Sequence, residues 1–429
     1  MFGRSWASAR VLSSLVGWAA CLVLIRAAWA VYGKRVALYS LFAFAMCAGV
    51  QIWFPVAKNI TLATLFLAIG LDMFVRRRSA LWAAVFIGFS ALTRLTFAPA
   101  GLVLLIPLTA EWTGYRRQLK DIIVGCVPML LVAAYFLALD PFNVWQDNVL
   151  YHQTRTGFSD AYLDRQRIQM VRWLMGFPGG FGLGGLQLLF LVCATVYGLR
   201  RGRRGDISQS IMPITAAVLT ASHLIPSPTH MQYFSVATFL LVPPAVSGLV
   251  AFGQALRRAL SVTALKIVPV TVFTFLIAFG AMAYGDLRRF LVTGDGVEGV
   301  GKYSGHSWRL AMMPKVSAEI DRLNINSKPV VSSWPGYLVE ARSHALSGTE
   351  NHFGYSWVGL NLFNPDEQDL RHVMSHDRAV TAFVRGDVDL VVVYNGPKRS
   401  KALLDIALAR GGTIISNAGW VTIVGRKNG

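Results

Sequence analysis

Apolar residues along this chain come in long runs rather than in strict alternation. Ten stretches of about twenty residues, each suited to crossing a ~30 Å hydrocarbon core as a helix, lie near 11–32, 36–55, 60–75, 79–95, 97–110, 121–139, 183–199, 207–225, 232–252 and 266–285. The third and fifth are short, so tilt, a break or re-entry is expected there. Between the sixth and seventh lies a polar loop, 140–182. Within it Ile168, Val171, Leu174 and Met175 recur at helical spacing beside Arg165, Arg167 and Arg172, which predicts an amphipathic helix in the membrane interface.

After residue 285 the pattern changes. A helical period over Trp308–Leu323 leads to an apolar strand at Pro329–Trp334, and a helical stretch Asp366–Arg385 leads to a second strand at Asp389–Tyr394. A helix over Lys398–Arg410 and final strands at Thr413–Ile415 and Trp420–Val424 follow. Short β-branched strands alternating with helices predict an α/β layer with mainly parallel strands. The expected architecture is a polytopic α-helical membrane domain of about ten helices over 1–285, with an external loop at 140–182, then a small α/β soluble domain over 286–429.

Composition agrees with that reading. Of 429 residues 54% are hydrophobic and only 15% charged, too little charged surface for a soluble chain of this length. The formal charge of +19 suggests nucleic acid, yet its distribution points elsewhere. Residues 286–429 hold 17 basic and 14 acidic side chains, leaving 24 against 8 in the membrane part. That excess sits in the breaks at Lys34-Arg35, Arg76–Arg78, Arg116–Lys120, Arg200–Arg204 and Arg257–Lys266, after every second helix. This is the positive-inside pattern. It places those breaks in the cytoplasm and the alternate turns, the loop 140–182 and the C-terminal domain outside. All four cysteines fall in apolar stretches, so no disulfide framework is expected.

Polar residues at the outer ends of apolar helices are the candidates for chemistry, because such placement is costly unless it is used. Lys58 and Asn59 lie between the second and third stretches, Arg94 ends the fourth, and His230 and Tyr233 open the ninth. The loop contributes His152 and Arg155. Together these would form a basic rim suited to a phosphate or diphosphate head group; the plain alternative for each is snorkelling among lipid head groups. Asp140 is the weak candidate for a base or metal ligand, against the simpler role of ending a helix. Arg26 is the one charge noted mid-helix, close enough to the cytoplasmic end to snorkel. The run Gly348–Gly354, with Glu350 and His352, reads as a structured loop. No zinc spacing, P-loop or dinucleotide fingerprint occurs.

Several stretches resemble a known family. Arg10–Gly17, Tyr32-Gly33-Lys34-Arg35, Phe89–Arg94 followed by Pro99–Leu102, the Gln232-Tyr233 opening of a late helix and Trp334-Pro335-Gly336-Tyr337 are similar to the polyprenyl-phosphate-dependent GT-C glycosyltransferases. The nearest branch is the bacterial protein mannosyltransferase-like and aminoarabinose-transferase-like one. The resemblance implies that a sugar leaves a polyprenyl-phosphate donor at the outer face of the bacterial inner membrane for a glycan, lipid or protein acceptor. It also implies an aspartate base in the first external loop, often a divalent metal nearby, and basic residues holding the phosphate. By position these are Lys58, Arg94 and His230. The family's first helix and acidic loop would precede Met1, so an N-terminally truncated enzyme, with its base upstream, is the expectation. Two other readings stand beside it: a non-enzymatic relative that binds a lipid-linked sugar or scaffolds envelope assembly, and a transporter or flippase.

Overall fold

A computed structural model describes residues 5–56, 58–106, 112–145, 148, 165, 167–168, 170–172, 185–201, 207–225, 231–260, 267–293, 312–350, 366, 368, 373–394, 398–419 and 421–426. They group into two compact units: Arg10–Val144 with Phe158–Arg288, and Arg289–Gly429 with Met1–Ala9 and Trp145–Gly157.

In the first unit all ten apolar stretches carry helix. These are α1 (Trp6–Tyr32), α2 (Lys34–Met46) with α3 (Ala48–Trp53), α4 (Asn59–Arg77), α5 (Ala80–Thr93), a 3-10 helix (Leu95–Leu105) and α6 (Trp112–Leu139), then the short α7 (Pro141–Trp145). After the loop come α8 (Gly185–Arg201), α9 (Ser208–Leu224), a 3-10 turn (Met231–Phe234) leading into α10 (Ser235–Ala259), and α11 (Ile267–Thr293). Among the described residues, four helices are long and apolar enough to cross a membrane: Trp6–Tyr32, Asn59–Arg77, Gly114–Leu139 and Gln232–Ala259. In the loop the described residues Arg165, Arg167, Ile168 and Met170–Arg172 are helical, with Ile168 and Val171 exposed and Met170 buried.

Two departures from simple spanning helices have local causes. The second stretch breaks at Cys47 (φ −85, ψ 106), where the chain turns extended for one residue. That leaves the Met46 carbonyl and the Ala48 N–H without helical partners. Gln187 of α8, fully buried, supplies them: its Oε1 accepts from Ala48 N at 2.9 Å and its Nε2 donates to Met46 O at 2.9 Å and Phe279 O at 2.7 Å. An inserted side chain is a recognised cause of such a break. The fifth stretch is 3-10 rather than α and contains Pro99. Its end is closed by Gln118, whose Nε2 donates to Leu104 O at 2.7 Å and Ile106 O at 3.1 Å.

Helix α10 is the centre of the unit and is buried along most of its length. It approaches α8 so closely that a Cβ on Gly248 would collide with the Ala194 carbonyl oxygen. Such small-residue crossings let van der Waals contact hold helices where no hydrophobic drive operates. The expectation that Arg26 snorkels is corrected. It reaches Asp72 of α4, which is wholly buried and also held by Arg76: Arg26 Nη2–Asp72 Oδ2 is 2.8 Å and Arg76 Nε–Asp72 Oδ1 is 3.1 Å. A buried carboxylate needs such partners, because desolvating a lone charge is far costlier than pairing it.

The second unit is a four-stranded sheet with helices on both faces. Its elements are α12 (Met313–Leu323), β1 (Val330–Ser332), a 3-10 turn (Pro335–Leu338), α13 (His376–Arg385), β2 (Leu390–Tyr394), α14 (Lys398–Ala409), β3 (Gly412–Ala418) and β4 (Val421–Arg426). The predicted helix over Asp366–Arg385 is not continuous; Ser375 caps a new start by accepting from Arg378 N. Strand order is β1-β2-β4-β3. The expectation of mainly parallel strands is also corrected. Among the described strands β1–β2 is parallel, whereas β2–β4 and β3–β4 are antiparallel. Two residues, Gly419 and Trp420, separate β3 from β4, which is hairpin length and far too short for a parallel crossover. Gly419 takes the positive φ (65°) that the turn requires.

Alternation in β2 divides its side chains between two cores. Leu390, Val392 and Tyr394 pack with Met313, Val316 and Ile320 of α12, while Val391 and Val393 pack with Val380 and Phe383 of α13 and Leu403 of α14. On the first side, Trp6 stacks on Trp334 (centroids 5.5 Å apart, planes 12° apart) and its Nε1 donates to Gly336 O at 3.0 Å. The backbone N–H of Trp6, at the open start of α1, donates to Glu340 Oε1 at 2.8 Å. Gly336 carries no Cβ because the Trp334 ring folds over it.

Burial of His376, at the start of α13, pushes its imidazole down to about 4, and a positive charge there also opposes the helix dipole. Because the folded value lies below the unfolded one, the unfolded chain binds the extra proton. The contribution is therefore complete above about pH 6.5 and is lost as pH falls toward 4, up to about 3 kcal/mol in all. Glu319, held near 2 chiefly by Arg322, adds its own loss from about pH 4.5 downward, so it touches only the acid end of that window. Denaturant unfolding followed by tryptophan fluorescence is expected to show the loss between pH 6.5 and 4, and His376→Gln to flatten it.

Candidate functional site

Three loops of the membrane unit meet around one arginine. Arg94 stands where α5 ends and the 3-10 helix begins, in extended conformation (φ −156, ψ 109), with its N–H on Ser90 O. A cation at a helix C-terminus sits well with the negative end of the dipole. Its guanidinium is held on three sides. Nη1 donates to Asn59 Oδ1 at 3.0 Å, Nε donates to Thr96 Oγ1 at 3.2 Å, and Cζ lies 4.6 Å above the ring of Tyr233. Asn59 opens α4 and is itself oriented by donating to Thr93 O at 3.0 Å. Beside it the half-buried Lys58 donates to Gln232 Oε1 at 2.6 Å.

Behind Tyr233 lies His223, in the last turn of α9 and fully buried. Its ring packs edge-on against Phe97 (5.7 Å between centroids) and tilted against Tyr233 (5.4 Å). Its Nε2 is 3.1 Å from Thr96 Oγ1, and neighbouring Ser222 donates to Thr96 O at 3.0 Å. The assembly is a pair of cations on a frame of neutral polar groups and one aromatic face. Such a frame suits an anion able to take several N–H donors, as a phosphate does.

Four of the residues predicted from sequence come together here: Lys58, Asn59, Arg94 and Tyr233. His152, Arg155 and His230 lie outside the described residues. Asp140 stands at the start of α7, where its Oδ1 accepts from Asn143 N at 3.0 Å and its Oδ2 from the Asn143 amide at 2.5 Å. Sequence reasoning missed His223 and Thr96 as parts of the site. His223 satisfies the criterion that selected the others, a polar side chain at the end of an apolar run, and could have been found by applying it to the eighth stretch. In the second unit, Glu350 bends back to accept from Gly348 N at 2.7 Å, a local loop contact; His352 is outside the described residues.

The divalent metal that the resemblance implies finds no cradle in these groups. Among the described residues no three His, Cys, Asp or Glu side chains gather where they could hold one, and Lys58 and Arg94 make the rim cationic.

No protein-family model matches the chain. No curated protein sequence matches it either. Solved structures do. The crystal structure of ArnT from Cupriavidus metallidurans bound to undecaprenyl phosphate aligns with a TM-score of 0.60 at 16% identity, covering 97% of this chain and 83% of that one. The apo structure of the same protein gives the same values. An oligosaccharyltransferase from Archaeoglobus fulgidus aligns at 0.48 and 12% identity, over 91% of this chain and 59% of its own. With so few identities, the likeness to ArnT is one of backbone architecture carried through both the helical and the α/β units. This chain therefore shares the fold of that ArnT structure.

Proposed function

We propose that the protein is a membrane glycosyltransferase that moves a sugar from a polyprenyl-phosphate donor to an extracytoplasmic acceptor, and that Lys58 and Arg94 hold the phosphate. The observation that carries this reading is the fixed guanidinium of Arg94, bonded to Asn59 and Thr96 and stacked on Tyr233. A donor group already held in place loses little freedom when an anion arrives. The leaving phosphate of a lipid-linked sugar is such an anion, and the ArnT structure of the same fold holds undecaprenyl phosphate. Sidedness supports the reading too. Arg76-Arg77, Arg200-Arg201 and Arg257-Arg258 close α4, α8 and α10. The positive-inside rule assigns those ends to the cytoplasm. Lys58 opens the same α4 that Arg76 and Arg77 close, so the rim would face the opposite compartment, with the domain 286–429 on that side.

The test is direct. The protein in lipid nanodiscs is expected to bind undecaprenyl phosphate saturably. It should bind undecaprenol, which lacks the phosphate, at least roughly tenfold more weakly, the loss expected for charge-assisted hydrogen bonds. Native mass spectrometry reads both. Equal retention of the two lipids would remove the phosphate from the argument, and with it the proposed reaction.

A further inference from the structure

His223 is buried at 0% exposure, and its Nδ1 makes no hydrogen bond among the described residues. A phenyl ring would fill the same gap between Phe97 and Tyr233 without leaving a buried polar atom unsatisfied, which is a costly arrangement. Packing alone therefore does not account for an imidazole here. Its side-chain hydrogen-bonding partner among the described residues is Thr96 Oγ1, at 3.1 Å, and that oxygen also receives the Nε–H of Arg94 at 3.2 Å.

We propose that His223 is a positioning residue for Arg94, acting through the Thr96 hydroxyl. The inference rests on the reading that Arg94 holds a lipid phosphate. A threonine hydroxyl has one proton to give and two lone pairs to receive. Since one lone pair takes the Arg94 Nε–H, the hydroxyl proton is best satisfied by a ring nitrogen that accepts. His223 is then neutral with its proton on Nδ1, a tautomer assigned from the network. The chain of bonds runs from Arg94 Nε–H to Thr96 Oγ1, and from the Thr96 hydroxyl to His223 Nε2.

Anchoring gives the chain its rigidity. Ser222 and His223, successive residues of α9, grip Thr96 at its carbonyl oxygen and at its hydroxyl. The Nε bond then fixes the plane of the guanidinium, and Tyr233, packed between Arg94 and His223, fixes its height. A free arginine side chain would have to give up about 2 kcal/mol of rotamer freedom on binding. This frame removes much of that loss beforehand.

The experiment measures undecaprenyl phosphate affinity for the full chain in nanodiscs, with thermal midpoints alongside. Thr96→Val and His223→Phe are each expected to weaken binding roughly five- to tenfold, the order of a lost supporting hydrogen bond to a charged group. Thr96→Ser, which restores the hydroxyl, is expected to recover affinity to within about twofold. The deciding arm is the double variant: in an Arg94→Ala background, His223→Phe should change affinity no further, because the group it positions is gone. Multiplying losses in that background, or unchanged affinity in Thr96→Val and His223→Phe, overturn the proposal. If His223→Phe fails to fold, Thr96→Val with its serine rescue still decides. Failure of this inference alone leaves the Arg94→Ala loss intact; an Arg94→Ala protein that binds normally removes both it and the phosphate reading.

Discussion

Replacing Arg94 with alanine is expected to weaken binding of undecaprenyl phosphate by roughly a hundredfold, about 2.7 kcal/mol. Arg94 is the most constrained cation of the rim, with Asn59, Thr96 and Tyr233 each fixing a different part of it. A preorganised guanidinium offers paired N–H donors in one plane, which match phosphate oxygens better than the single charge of an ammonium. Arg94→Lys is accordingly expected to recover only part of the loss, since it keeps the charge and discards the fork. Titration of the lipid into nanodiscs separates the two variants. If lysine restores full affinity, the role of Arg94 is bulk charge and the geometry described for it is incidental.

The second large effect concerns stability. Gln187→Leu is expected to destabilise the membrane unit by about 2–4 kcal/mol, read as a lower thermal midpoint and faster proteolysis. The substitution keeps the volume nearly constant. It strips hydrogen bonds from Ala48 N, Met46 O and Phe279 O at once. Each orphaned group would cost about 1–3 kcal/mol in a soluble core, and somewhat less where the unfolded reference is also in lipid. Gln187→Glu tests the same site differently, because a carboxylate can accept from Ala48 N but cannot donate to the two carbonyls. A glutamate variant as stable as the native protein would show that the break at Cys47 tolerates unpaired carbonyls.

The outline of this molecule could be read from one sequence because bilayer helices leave a strong one-dimensional trace. Each apolar run carries helix among the described residues. Of the two short runs expected to be irregular, the fifth is 3-10 but the third is the unbroken helix α4, while the break falls at Cys47 in the second. Lys58, Asn59, Arg94 and Tyr233 were recognisable because a polar group at the end of an apolar run is expensive to keep. What escaped were polar residues whose partners lie far along the chain. Gln187 sits 139 residues from Ala48, and Asp72 is 46 from Arg26; nothing local marks either as essential. His223 ends an apolar run as Arg94 does and was open to the same criterion; what no local pattern shows is its approach to Thr96, 127 residues away. The direction of β4 was misjudged for another reason. Alternation reports which face a strand buries, whereas its direction is set by the length of the connection before it.

The stacking of Trp6 on Trp334 means that the C-terminal unit is not contiguous in sequence. A gene fragment covering only 289–429 would encode the sheet and its helices yet leave one indole face and the Gly336 carbonyl bare to water, an opening shaped for a tryptophan side chain. Anyone wishing to prepare that unit alone would do better to supply the first few residues of the chain as a separate peptide. Cutting the chain at its hydrophobic boundary would divide one folded body into a receptor and its missing plug.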